Sequence, residues 1–335
     1  MGCSEARSDR VAEIDSYGGR GWPHQAEPGG PPAQAGKFMR FFFACMLAVA
    51  ALAALFGRVA RSQVANLQEG VWFALSEADP DKLTLDAIAA VRNGRLEILP
   101  DDCYENDPGY KEFVREYLQP RQAYAITFRG TQAGRATIEK ESPPWLNGAL
   151  ARYDGPILIR GEVMALASNV PPRFKNADLS RYATPTEEAA VLEVAKTQFA
   201  QAGLPQPLVR NVHSDEVLVE YLDRSMQPTF VASVFVEQGG EGGRTHSLFL
   251  IAAQKGRHIV PQFVWSKISR GEKDNQTLQF VDFADLLGDG QYEMVLRLNY
   301  SENYRYRILR RTKNKLRWEQ IFQTPVLGCG PPQSE

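Results

Sequence analysis

Residues 278–322 read LQFVDFADLLGDGQYEMVLRLNYSENYRYRILRRTKNKLRWEQIF, and their pattern decides the fold class. Four runs stand out: Leu278–Phe283, Glu293–Tyr300, Tyr304–Arg311 and Leu316–Phe322. Each is short and rich in aliphatic and aromatic residues, and the breaks between them carry Gly, Asn or Asp. That combination predicts strands joined by turns.

Moving upstream, Val217–Leu222, Phe230–Glu237, His246–Ala253 and His258–Ile268 repeat the pattern. Strands that follow one another with short breaks tend to be neighbours, so an antiparallel meander is expected. Ahead of them lies the best-marked helix. Thr184-Pro185-Thr186-Glu187 is a capping box with proline at the first helical position. Val191, Val194, Ala195, Phe199 and Ala202 supply the 3.6-residue face, and Gly203 and Pro205 end it. One amphipathic helix followed by strands implies packing on one sheet face.

Further upstream, Pro171-Pro172 to Ala183 reads as a linker or surface crossing. Asn93-Gly94 separates two strand-like runs, 88–92 and 95–99, and is a strong hairpin signal because both residues tolerate positive φ. A helix over Leu83–Val91 is the competing assignment. Val71–Leu75 predicts a strand and 108–118 a short helix with Tyr110, Phe113, Val114 and Tyr117 on one face. A second hairpin is expected over 123–129 and 135–140, turning at Thr131–Gly134, and Pro156–Leu166 predicts a further strand. The fold class is therefore α+β and mostly antiparallel β, in meander sheets that extend to a degenerate propeller-blade-like form, with one well-marked amphipathic helix.

The 335 residues are 44% hydrophobic and 23% charged, with a net charge of −2. This balance supports a packed core and carries no basic stripe of the kind that nucleic-acid binding uses. Residues 1–38 are rich in Gly, Pro and Ser and predict disorder or an over-extended start. Lys37 and Arg40 then lead an apolar run, 41–57, followed by Ala60-Arg61-Ser62. A positive lead, a short apolar stretch and small residues form the layout of a signal peptide over 39–62. An uncleaved anchor is the alternative, though the run is short of the ~20 residues a span prefers. The expected divisions continue with 63–170 as a β-rich subdomain, 184–325 as helix plus antiparallel β, and 326–335 as a tail. Export, periplasmic or secreted, follows from the leader, and the membrane would be touched only through 41–57. The overall pattern resembles an exported bacterial protein. The sequons at Asn275 and Asn299 would matter only in a eukaryotic secretory route.

Removal of the leader leaves Cys103 and Cys329. In an oxidising compartment an even pair can form a disulfide, and this one would close a very long loop, worth up to about 4–5 kcal/mol in the chain-entropy model. Two unrelated thiols are the alternative.

One motif concerns metal. Asp285, Asp289-Gly290 and Glu293 lie at spacings that resemble the calcium loops of FG-GAP-like β-repeats, and the resemblance extends over about residues 281–322. It implies a calcium site, because calcium takes several carboxylate oxygens brought together by a tight glycine turn, with a carbonyl from Gln291 as a further ligand. The sequence departs from the pattern at Leu287, where a carboxylate is usual, and a glycine turn joining two strands is the alternative. Gln227 to Val231 stands 64 residues before Gln291 to Val295 in a similar loop-to-strand setting, which suggests a degenerate duplication.

Catalytic signatures are sparse. His24, His213, His246 and His258 stand in no metal-binding spacing, and no G-x-S-x-G elbow or Walker A loop occurs. His213-Ser214-Asp215-Glu216 reads as a polar turn. Glu162, Glu216, Asp282 and Glu293 would have to pair in space, near Trp72, Trp145, Trp265 or Trp318, to serve a glycan hydrolase. The expected function is a non-enzymatic binding or structural module. The alternatives are a calcium-stabilised adhesion module and, more distantly, a secreted glycan hydrolase.

Overall fold

Small residues fill the inside of a closed barrel in the first half of the folded chain. The computed structural model describes residues 69–79, 82–100, 108–141, 148–155, 164–170, 180–222, 227–239, 243–312 and 317–327. Residues 1–38, the 39–62 leader, Cys103, Cys329, Glu162, Trp145, His24 and the 328–335 end of the tail lie outside them, as do most of the 171–183 linker and of the strand expected at 156–166.

The barrel uses β1 (Gly70–Asp79), β2 (Lys82–Arg92), β4 (Ala123–Phe128), β5 (Thr131–Glu141), β6 (Gly148–Asp154) and β7 (Ala165–Ser168). Their order is β1-β7-β4-β5-β6-β2, and β2 pairs back onto β1, so the sheet closes with every pairing antiparallel. Closing six strands leaves a narrow lumen, and side-chain size must fall to fit it. Ala133, Ala136, Ala149, Ala151, Ala165 and Ala167 are all wholly buried there. Leu75, Leu85, Ile126 and Ile138 are buried in the same cluster, and Phe73 meets Tyr124 there edge to face at 4.9 Å. Helix α1 (Pro108–Tyr117) packs Tyr110, Phe113, Val114 and Tyr117 against the same cluster, and the Tyr124 hydroxyl donates to the Tyr117 carbonyl.

The helix considered over Leu83–Val91 is strand β2. It is buried on both faces, because one face lines the barrel and the other meets the next sheet. Asn93 and Gly94 hold φ of 52° and 69° and turn β2 into β3 (Arg95–Glu97). The second hairpin turns earlier than Thr131–Gly134. Its tip is Arg129-Gly130, with φ of 49° and 69°, and 131–134 belong to β5. Two positive φ values in a two-residue loop match the twist of the flanking strands, and that geometry decides the register. Strand β6 was not expected from the sequence.

The second half contains two meanders. Strands β9 (His213–Glu220), β10 (Thr229–Gln238), β11 (Arg244–Lys255) and β12 (His258–Ile268) run in sequence order, with β8 (Arg181–Tyr182) added beside β9. Strands β13 (Thr277–Ala284), β14 (Glu293–Asn299), β15 (Tyr304–Arg311) and β16 (Trp318–Gln323) form the other sheet. Glu220 opposes Thr229 in one, and Ala284 opposes Glu293 in the other, so the first hairpins of both meanders keep the same 64-residue offset.

Four apolar clusters stack these parts in layers. The lumen is the first. Trp72, Ile88, Val91 and Leu166 on the outside of the barrel meet Val281, Val295, Tyr306 and Ile308 of the β13–β16 sheet. The opposite face of that sheet, through Phe283, Met294, Leu296 and Leu309, meets Leu218, Val231, Phe249 and Ile251. Helix α2 (Pro185–Gln201) covers the far side with Val191, Ala195 and Phe199, and α3 (Gln206–Val209) adds Val209. The capping box on α2 is formed, while Ala202, expected on the apolar face, is its exposed C-cap. The β13–β16 sheet is thus buried on both sides, which is why most positions of β14 and β15 are buried, their polar residues included. No helix among the described residues is long and apolar enough to cross a membrane.

Candidate functional site

Strand β13 ends and β14 begins around the acidic turn 285–293. Gly288 and Gly290 hold φ of 72° and 85°, which lets the chain reverse tightly. The Gly290 amide donates to Asp285 Oδ2 at 2.9 Å, and the Gln291 amide to Asp289 Oδ1 at 3.1 Å. Glu293 is wholly buried, and its Oε2 accepts the Leu286 amide at 2.8 Å. Arg310 reaches across from β15, whose residue 310 opposes 293 in the ladder. Its Nε donates to Glu293 Oε1 at 2.6 Å and its terminal nitrogen to Asp289 Oδ2 at 2.8 Å. The structure therefore brings Asp289 and Glu293 together around a guanidinium, while Asp285 serves the turn. Burial pushes the Glu293 carboxyl up to about 7 against the pull of Arg310 and the Leu286 amide. Among the described residues, no three His, Cys, Asp or Glu side chains are grouped to hold one metal ion.

A second group of acids lies where all three sheets meet. Glu220 ends β9, Asp282 lies in β13 at a register shift, and both are wholly buried. The tip of the β4–β5 hairpin enters from the barrel. The Gly130 amide donates to the Asp282 carboxylate, as does the Phe283 amide, at 2.7 Å to Oδ1. The Ser180 hydroxyl donates to Glu220 Oε2. Glu220 Oε1 and Asp282 Oδ2 have no hydrogen-bond partner. Arg129 is half-buried, stacks over the Tyr182 ring at 4.6 Å, and lends positive potential to both carboxyls. Burial outweighs it. Glu220 is raised to about 7, with Ser180 and Arg129 opposing and Glu216 adding to the rise. Asp282 is raised well above the usual carboxylate range by burial and by Glu220.

A third buried acid, Asp86 of β2, accepts the Tyr306 hydroxyl at 2.7 Å and ties the barrel to the β13–β16 sheet. The other candidates scatter. Glu216 and His213 are exposed on β9, where His213 meets the Phe235 ring edge to face at 4.5 Å and Ser214 donates to Glu188. His246 is buried, and burial lowers its pKa. His258 is exposed. Trp72 and Trp318 are buried in different layers, and Trp265 is half-buried beside Trp318's cluster.

Three partners escaped the sequence: Glu220, Arg129 and Arg310. Glu220 had a visible signal, a lone acid inside the apolar run 217–222, as Asp282 is inside 278–284. The arginines had none, because each reaches its acid from a different strand. Compared with models of known protein families, with curated proteins and with solved structures, the chain matches none.

Proposed function

We propose that this protein is an exported, non-enzymatic β-rich module with a binding or structural role, and that its converging acids hold the layers together. One observation supports this above the others: Glu220, Asp282 and Glu293, three carboxyls held above the usual range, are all wholly buried. A catalytic carboxyl must reach its substrate, and a hydrolase would also need its acid pair to face an open groove. Burial instead makes these groups costly unless they are paired or protonated, which is how structural acids behave. The calcium-stabilised alternative draws on the convergence of Asp289 and Glu293. There Arg310 already supplies positive charge to both, so the loop is satisfied without a bound ion.

Carbodiimide labelling of the native protein with an amine nucleophile, read by peptide mass spectrometry, tests the proposal. Exposed acids such as Glu237, Glu272 and Glu302 are expected to label first. Glu220, Asp282 and Glu293 are expected to label only on unfolding. Rapid labelling of Glu220 and Asp282 in the native state would mean that solvent reaches the pair, and the hydrolase alternative would take precedence.

A further inference from the structure

We propose that the buried pair Glu220 and Asp282 retains a proton in the folded state, and that this proton latches the β4–β5 hairpin of the barrel onto the two stacked sheets. The idea goes beyond the non-enzymatic role above, because it gives the fold a response to pH.

Two carboxyls from different sheets are wholly buried, and each keeps one oxygen without a hydrogen-bond partner. Among the described residues, Arg129 is the one cation whose field lowers both. It is half-buried and spends part of its surface on the Tyr182 ring. The remaining charge facing Glu220 is Glu216 from the same strand, and it is of like sign. The neutral donors are Ser180 beside β8 and the amides of Gly130 and Phe283. One partial counter-charge cannot balance two buried carboxylates, and buried acids that repel each other retain a proton as a pair.

Geometry then connects the proton to the hairpin. Arg129 and Gly130 form the tip, in the left-handed region that lets the turn enter the junction. A Cβ at Gly130 would come within 2.5 Å of the Phe283 ring, so the tip is seated tightly against β13. Its amide is bound to Asp282 itself. Loss of the proton leaves two buried negative charges that Arg129 and the Gly130 amide balance only in part, and opening the hairpin admits water to both. The open state binds the proton no better than an ordinary carboxyl does. Opening therefore releases a proton at neutral pH and is favoured as pH rises.

Hydrogen exchange of the full-length protein, read by mass spectrometry at pH 5.5 and 8.0 and corrected for the intrinsic pH dependence of exchange, tests this. The opening constant of the amides in 123–137 is expected to rise by on the order of tenfold or more across that range, the linkage expected for release of about one proton. The amides of β11, away from the junction, should rise less. In Glu220→Gln, which keeps the shape and removes one acid so that Arg129 faces Asp282 alone, the rise at 123–137 should be clearly smaller. Equal opening constants at the two pH values in the wild type would overturn the latch without recourse to any variant. An unchanged rise in folded Glu220→Gln would also overturn it.

Discussion

At Gly130 the backbone stands at φ +69°, and a Cβ would meet the Phe283 ring at 2.5 Å. Gly256 has almost the same φ, +62°, with open space around it. Both glycines would suffer backbone strain on substitution, about 1–2 kcal/mol for a left-handed L-residue, but only Gly130 would also force its neighbour to move. Gly130→Ala is thus expected to cost about 1–3 kcal/mol more than Gly256→Ala by urea denaturation, the usual range for overpacking. Equal losses would show that the tip is not seated on β13. Arg310→Met leaves Glu293 buried without its partner, and a loss of about 3–5 kcal/mol is expected. Glu293→Gln in that background should restore part of it, because no buried charge is then left alone. A double mutant no more stable than Arg310→Met would contradict the pairing.

Among the elements, α2 was the most legible in the sequence, because its signals are local. The Thr184 hydroxyl accepts the Glu187 amide, Glu187 answers at the Thr184 amide, and Arg181 braces the same carboxylate at 2.7 Å. Thr184→Ala should lower stability by about 1 kcal/mol, measurable as a shift in denaturation midpoint. The strands of both meanders were legible too, since alternating apolar runs between turn residues carry the signal within a few residues. Barrel closure was not. It depends on β7 entering between β1 and β4, and β7 is a four-residue strand far along the chain from both. Strand β6 (GALARYD) is weakly apolar for a physical reason: the residues it turns into the lumen, Ala149 and Ala151, pack between larger side chains from the other strands. Small side chains erase the hydrophobic alternation by which a strand is recognised. The same tightness predicts that Ala151→Leu destabilises the protein by about 1–3 kcal/mol, although it adds apolar surface.

For the molecule as a whole, burial of acids sets the pH dependence. The Glu220 and Glu293 carboxyls are raised in the folded state to about 7, and Asp282 is raised further above its usual range. A carboxyl raised on folding stabilises fully below its unfolded value, and that contribution is lost as pH rises through the folded one. It amounts to up to about 3 kcal/mol for a shift of this size. Glu187 works the other way. Arg181 first, then the Thr184 hydrogen bonds, lower it to about 2, so its contribution is present above the usual carboxylate range and is lost as pH falls toward 2. Stability measured by urea unfolding should therefore peak on the acid side of neutrality and decline from about pH 5 to 8. A maximum near pH 8 would contradict the burial of these acids. The acidic turn itself was legible as a cluster, but the cation that meets it was not, because Arg310 comes from the next strand and no spacing rule links it to 289 and 293. Arg310 supplies positive charge to both acids of the turn, and the proposed structural role of those acids rests on it. The most direct test is the thermal midpoint of the full chain in millimolar calcium and in chelator. An ion that binds only the folded state must raise the midpoint by mass action. The same midpoint is expected in both. A rise in calcium that disappears in Asp289→Ala would contradict it and make the turn a metal site.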